Sequence, residues 1–148
     1  MKLSKITVLL VALTVGLLST SLAGEGWMSD FGAAQSQAKA EGKPMLLDFT
    51  GSDWCGWCIR LDEEVFSQDA FKAYAAANLI LVELDFPRKK NQSAELKAQN
   101  KALSEKYGVR GFPTIVVLSP AGDLLGTTGY RRGGPEDYVL HLQELLEQ

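Results

Sequence analysis

The chain contains only two cysteines, Cys55 and Cys58, three residues apart in Ser52-Asp53-Trp54-Cys55-Gly56-Trp57-Cys58. Thiols at that spacing on the first turn of a helix occupy neighbouring positions and can close a small disulfide. The first thiol then stands where unpaired backbone N–H groups point outward, which favours its thiolate. Four readings compete. A zinc site takes about four ligands, and two cysteines with a distant His141 do not close one within the chain. A purely structural disulfide over so short a loop removes little entropy from the unfolded chain. Inert thiols would both be buried, and Gly56 and the helix-start position argue against that. The redox reading is favoured by context. An apolar run over 45–49 precedes the pair, a segment of helical character over 59–66 follows it, and a strand feeding a helix gives a C-x-x-C pair redox meaning.

The elements that must position this pair can be read in order. Residues 30–41 form a helix with Phe31, Ala34 and Ala38 on one side, stopped by Gly42 and Pro44. Residues 45–50 read as a central strand, apolar on both faces except for Asp48. The cysteine helix runs on to about residue 77, with a bend near Ser67-Gln68-Asp69. A second apolar strand covers 79–86. Ser93 can cap the next helix, which carries Leu96, Leu103 and Tyr107. Residues 114–118 form a β-branched strand, Ser119-Pro120-Ala121-Gly122-Asp123 a hairpin turn, and 124–128 the returning strand. Gly134-Pro135-Glu136-Asp137 starts the last helix, with proline in its first turn and acids beside it. Strands separated by helices imply parallel pairing, and the hairpin adds antiparallel edges. The expectation is an α/β domain: a four-stranded mixed sheet with helices on both faces.

Length and charge narrow the function. The 148 residues have room for one core, and a formal charge of −3 gives no reason to expect nucleic acid as a partner. Arg88-Lys89-Lys90 is the one basic run and reads as a solvated loop, with docking of an acidic partner as the minority option. Residues 1–23 have the layout of a secretory signal: Lys2 and Lys5, an apolar stretch over 6–18, then Ser21-Leu22-Ala23 as the cleavage site. The apolar stretch is shorter than the roughly 20 residues of a membrane span, so no stable membrane insertion is expected after cleavage. The domain proper is then 24–148. Of the 15 basic residues Lys2 and Lys5 fall in the leader, and the 13 left face 18 acidic ones, a balance of −5. Export to the periplasm or beyond would put the thiol pair in an oxidising environment.

Asp48-Phe49, Trp54-Cys55-Gly56-Trp57-Cys58 and Gly111-Phe112-Pro113-Thr114 together resemble the thioredoxin superfamily, over most of the chain after the leader. The resemblance implies a thioredoxin-like fold with Cys55 as attacking thiol and Cys58 as resolving thiol. It implies that Pro113 is a cis proline beside the sulfurs, with the backbone of Phe112 offered to an extended substrate. Asp48 would be the buried acid that handles the proton of Cys58; the plainer alternative is a carboxylate satisfied by local hydrogen bonds. Trp57 would either contact substrate or merely cover the disulfide, and Trp54 would pack beside the site. Asp53 and Arg60 read as solvated charges. Two departures matter. Asp48 lies one residue further from the first cysteine than in ordinary thioredoxin. Trp57 stands where proline or histidine is often found, so one stabiliser of the Cys55 thiolate is missing, which disfavours a very strong oxidant. The implied activity is an exported thiol–disulfide oxidoreductase acting on protein substrates with thiols or disulfides. It would work in the reducing direction, recharged by an unidentified electron donor, and need no metal or organic cofactor beyond the Cys55–Cys58 disulfide. The rival is a non-catalytic binding module of the same fold for an exported partner.

Overall fold

A computed structural model describes residues 25–147; the leader assigned to 1–23 lies outside them. The element order is β1 (Trp27–Met28), α1 (Phe31–Glu41), β2 (Met45–Thr50), α2 (Gly56–Leu61), α3 (Asp69–Asn78), β3 (Ile80–Asp85), α4 (Ala94–Lys106), β4 (Thr114–Leu118), β5 (Leu124–Thr128) and α5 (Gly134–Leu146). A π-helical turn over Asp62–Phe66 continues α2, and the chain bends at Ser67 before α3, where the sequence placed its bend.

The sheet has five strands, not four, in the order β1-β3-β2-β4-β5. The missed strand is β1. Its two residues run parallel to β3, pairing Trp27 with Leu81 and Met28 with Val82, and two residues are too few to show an alternation in sequence. The parallel pairing expected of helix-separated strands holds for β2 and β3. It fails for β4, which follows a helix yet runs antiparallel to β2. The connection through α4 begins and ends at the end of the sheet where β3 finishes, so β4 enters from there.

Alternation along β2 divides the core in two. Met45, Leu47 and Phe49 join Ala34, Ala38, Val82, Leu84, Leu103 and Val116 under α1 and α4. Leu46 points the other way, into a cluster of Leu61, Val65, Phe66, Phe71, Tyr138 and Leu142 under α2, α3 and α5. Asp48 and Thr50 share that second face. Every residue of β2 is buried, so this strand holds the site in a fixed frame.

The local signals act as their chemistry requires. Asp30 Oδ1 accepts from the Ala33 N–H at the start of α1, and Gly42 ends the helix with φ at 65°, where a side chain would be strained. Ser93 Oγ accepts from the Leu96 N–H at the start of α4. Asn100, inside α4 and buried, donates to the Asp85 carbonyl at the end of β3. It ties that helix to the edge from which the site loops emerge.

Candidate active site

The loop leaving β2 folds back at once. The N–H groups of Trp54 and Cys55 both donate to the Gly51 carbonyl, at 3.2 and 2.9 Å. A Cβ on Gly51 would come within 2.5–2.7 Å of the Trp54 indole, so only glycine leaves room for that ring. Trp54 Nε1–H donates to the Phe86 carbonyl at 2.8 Å. The Trp54 ring meets Phe112 edge-on at 5.8 Å, and Phe112 packs on Phe86 at 5.1 Å. Trp54 thus packs between the loops after β2, after β3 and before β4. Ser52 donates through N–H and Oγ to the Asp85 carboxylate, at 2.9 and 2.6 Å. These bonds fix the turn that delivers the cysteines to α2.

Cys55 is the N-cap of α2, and Cys55 and Cys58 are joined as a disulfide with their Cα atoms 5.2 Å apart. The Cys58 N–H points at the Cys55 sulfur, 3.3 Å away. The helix-start position suggested an openly exposed first cysteine, and this is corrected: Cys55 keeps 7% of its surface and Cys58 5%. The opening is beside them: Gly56 is exposed, a Cβ there would meet nothing within 4 Å, and Trp57 is 52% exposed. Asymmetry between the cysteines therefore comes from helix position rather than exposure. Cys55 sits where helix N–H groups converge, and that favours its thiolate when the pair is reduced.

Asp48 is 8% exposed, and its Oδ1 has no hydrogen-bond partner among the described residues. The local hydrogen bonds of the plainer reading are therefore missing at that oxygen. Asp48 lines a cavity of about 330 Å³ together with Cys58, Thr50, Asp62, Glu83 and Lys90. Burial first, then the charges of Glu83, Asp62 and Asp85, push its carboxyl well above the ordinary range. Glu83 sits directly across the β2–β3 register from Asp48. Burial and Asp85 raise Glu83 as well, against the opposing pull of Lys90. The Tyr138 hydroxyl, raised chiefly by burial and then by Asp48, donates to the Gly129 carbonyl at 3.0 Å.

Phe112 and Pro113 reach the same end of the sheet, since Thr114 opposes Phe49 at the end of β2. The Phe112–Pro113 peptide is cis. Trp57 packs on Tyr130 at 5.0 Å, with the Arg60 guanidinium 5.5 Å from its ring and 5.8 Å from that of Tyr130. Arg60 also pairs with Glu64 at 2.6 Å, and the Tyr130 hydroxyl donates to the same carboxylate. Arg60, read as a solvated charge, is exposed and also carries this ion pair. The same reading of Asp53 is corrected. Its carboxylate accepts from the backbone N–H groups of Arg88, Lys89 and Lys90, at 2.7–3.0 Å, and these bonds, the Arg88 one first, hold its pKa below the ordinary value. The 88–90 loop has exposed side chains but a fixed backbone, and Arg88 lies 3.6 Å above the Trp54 ring.

Glu83 and Tyr130 were not singled out from sequence. Glu83 had a signal, an acid within an apolar strand, the same one that marked Asp48. Tyr130 had none, because it lies far along the chain and only the return of β5 brings it to Trp57. Among the described residues, no group of three or more His, Cys, Asp or Glu side chains is arranged to hold a metal ion. His141 Nε2 lies 2.9 Å from Thr128 Oγ1.

Comparison with known proteins gives matching results. Residues 31–143 match the family model described as thioredoxin-like domain. The chain is 37% identical over 121 residues to the disulfide bond reductase DsbH of Chlamydia pneumoniae, covering 82% of this chain and 72% of that protein. It is 32% identical over 108 residues to the thiol:disulfide interchange protein DsbD of Yersinia pestis, but that match spans only 16% of the larger protein. A solved DsbH oxidoreductase superposes with a TM-score of 0.78 at 33% identity, covering 89% of this chain and 94% of the other.

Proposed function

The chain belongs to the thioredoxin-like family as a protein disulfide oxidoreductase, and we propose that it acts outside the cytoplasm in the reducing direction. The observation that carries the reading is the Cys55–Cys58 disulfide capping α2, with the buried Asp48 carboxyl, its Oδ1 without a hydrogen-bond partner among the described residues, lining the cavity beside Cys58.

In the reduced protein the Cys55 thiolate attacks one sulfur of a substrate disulfide. The substrate S–S bond breaks, its departing sulfur takes up a proton, and a mixed disulfide forms. Cys58 then gives its proton to the Asp48 carboxylate and attacks the Cys55 sulfur. The mixed disulfide breaks, and the second substrate sulfur leaves as a thiolate that takes up the proton held by Asp48. Two electrons have passed from the dithiol to the substrate, and a separate donor must return them. A carboxyl raised by burial suits this transfer, because its proton affinity moves towards that of a thiol, about 8.5. Trp57, with Phe112 and Pro113, forms the surface that an extended substrate meets, and Trp54 holds that surface in place.

Three features support the reducing direction. The motif is thioredoxin-like, no histidine stands between the cysteines to stabilise the reduced form, and the relative named above is a disulfide bond reductase. The leader layout over 1–23 supports export, and no helix among the described residues is long and apolar enough to cross a membrane.

The test is reduction of insulin by dithiothreitol, comparing wild type with Cys55→Ser and Cys58→Ser. Wild type should accelerate it, Cys55→Ser should not, and Cys58→Ser should accumulate a Cys55-linked mixed disulfide with the client. Equal rates from all three would leave a binding module that holds an exported partner near Trp57, Phe112 and Pro113. The equilibrium potential against glutathione fixes direction. A value near the strong-oxidant end of the range, about −120 mV, would reverse the assignment.

A further inference from the structure

The sheet topology collects positive charge at one end of a protein whose overall balance is negative. β3 runs parallel to β2, β4 antiparallel to β2, and β5 antiparallel to β4. The loops 86–93, 107–113 and 129–133 therefore emerge at the end of the sheet where β2 delivers the cysteine loop. Those loops carry Arg88, Lys89, Lys90, Arg110, Arg131 and Arg132, all exposed, and no Asp or Glu. They hold six of the 13 basic residues outside the leader, in a domain with 18 acidic ones.

Asp62 and Glu63, exposed on the turn after α2, line the cavity beside Cys58 together with Lys90 and offset part of this charge; the other acids at this end are engaged elsewhere. Asp53 spends its carboxylate on the backbone N–H groups of 88–90 rather than on their side chains. Glu64 is engaged by Arg60 and Tyr130. Glu136 and Asp137 lie in the first turn of α5, against its positive end. Two of the cations are anchored to the cysteine loop itself: Arg88 lies over Trp54, and Lys90 Nζ is 3.2 Å from Ser52 Oγ. At the other end of the sheet, loops 42–44 and 119–123 hold only Lys43, paired with Glu41, and Asp123.

We propose that this basic end docks an acidic protein partner, one whose exchanging disulfide is flanked by Asp and Glu. The inference rests on the exchange reaction proposed above and adds the partner's chemistry to it. An excess of one sign around a reactive group, with the opposite sign elsewhere, orients an approaching partner before contact. It raises the association rate of complementary partners and lowers that of like-charged ones. Each turnover oxidises the two thiols of Cys55 and Cys58 to a disulfide and reduces one partner disulfide to two thiols, so electrons balance without a further reagent.

The experiment uses the reduced protein and three synthetic peptides, each closed by one disulfide and flanked by Glu, Gln or Lys. Release of peptide thiols is followed at about 10 mM and about 1 M ionic strength. At low salt the Glu peptide should react at least about tenfold faster than the Lys peptide, and the gap should close at high salt. Lys89→Glu/Arg110→Glu/Arg132→Glu should invert the order, and the matching Gln variant should level it. Equal rates for the Glu and Lys peptides at low salt overturn the proposal, as does a preference that survives charge reversal. A protein that reduces all three peptides at one rate has lost only this proposal. One that reduces none has lost the exchange reading, and this proposal with it.

Discussion

Replacing Asp48 by asparagine should change how stability depends on pH. The Asp48 carboxyl is buried on β2, with Glu83 across the register and Asp62 and Asp85 nearby, and all of these favour its neutral form. In the unfolded chain the same carboxyl ionises at about 3.9. Above that pH the folded state keeps a proton that the unfolded state has lost, so stability falls as pH rises. The limiting slope for one such group is about 1.4 kcal/mol per pH unit, and the loss is complete once pH has passed through the folded-state pKa. The asparagine side chain does not titrate. The unfolding free energy of wild type minus that of Asp48→Asn should therefore decline from about pH 4 upward and level off when Asp48 ionises in place. Urea unfolding of the oxidised protein measures this cleanly, because the disulfide removes both thiols from the titration. Adding Glu83→Gln to both backgrounds removes a like charge, so the levelling-off should move to lower pH. Parallel pH profiles for wild type and Asp48→Asn would refute the reasoning. Asp48 would then be an ordinary carboxylate, poorly matched to the Cys58 thiol, and its proton-handling role would fall as well.

Three other perturbations have defined outcomes. Gly51→Ala should push the Trp54 ring from its place and break its bond to the Phe86 carbonyl, since the new Cβ would lie within 2.7 Å of three ring atoms; thermal melting should show a destabilisation of about 1–3 kcal/mol, and insulin reduction should slow. Trp57→Ala removes an exposed ring that packs on Tyr130 and Arg60; reaction with a protein disulfide should slow by about tenfold, as expected for losing roughly 1–1.5 kcal/mol of aromatic contact, while reaction with a small disulfide changes far less, and equal slowing of both would move Trp57 from the contact surface to a mere cover. Burial, then Arg131, lowers the His141 pKa; the folded state binds fewer protons than the unfolded one just below the ordinary histidine range of about 6.5, so stability should fall as pH drops through it, and His141→Gln should abolish that part of the acid loss in urea unfolding.

The sequence alone settled the features that depend on neighbours along the chain. Cys55 and Cys58 could meet because three residues on a helical turn span the distance of a disulfide. Gly42, Ser93 and Pro135 marked helix ends because capping and φ restriction are local effects. Asp48 stood out because an acid in an apolar strand has to be accounted for. Tertiary structure decided what depends on residues far apart. β1 is too short to show a pattern and exists only as an edge for β3 to pair with. The direction of β4 was set by which end of the sheet α4 reached. Asp53 looked like a solvated charge because the N–H groups it accepts from lie 35 or more residues further along. The closeness of Tyr130 to Trp57, of Glu83 to Asp48, and of three basic loops to one disulfide follows from strand order. Strand order is fixed by how the two apolar faces of the sheet are buried, and no spacing in the sequence encodes that arrangement.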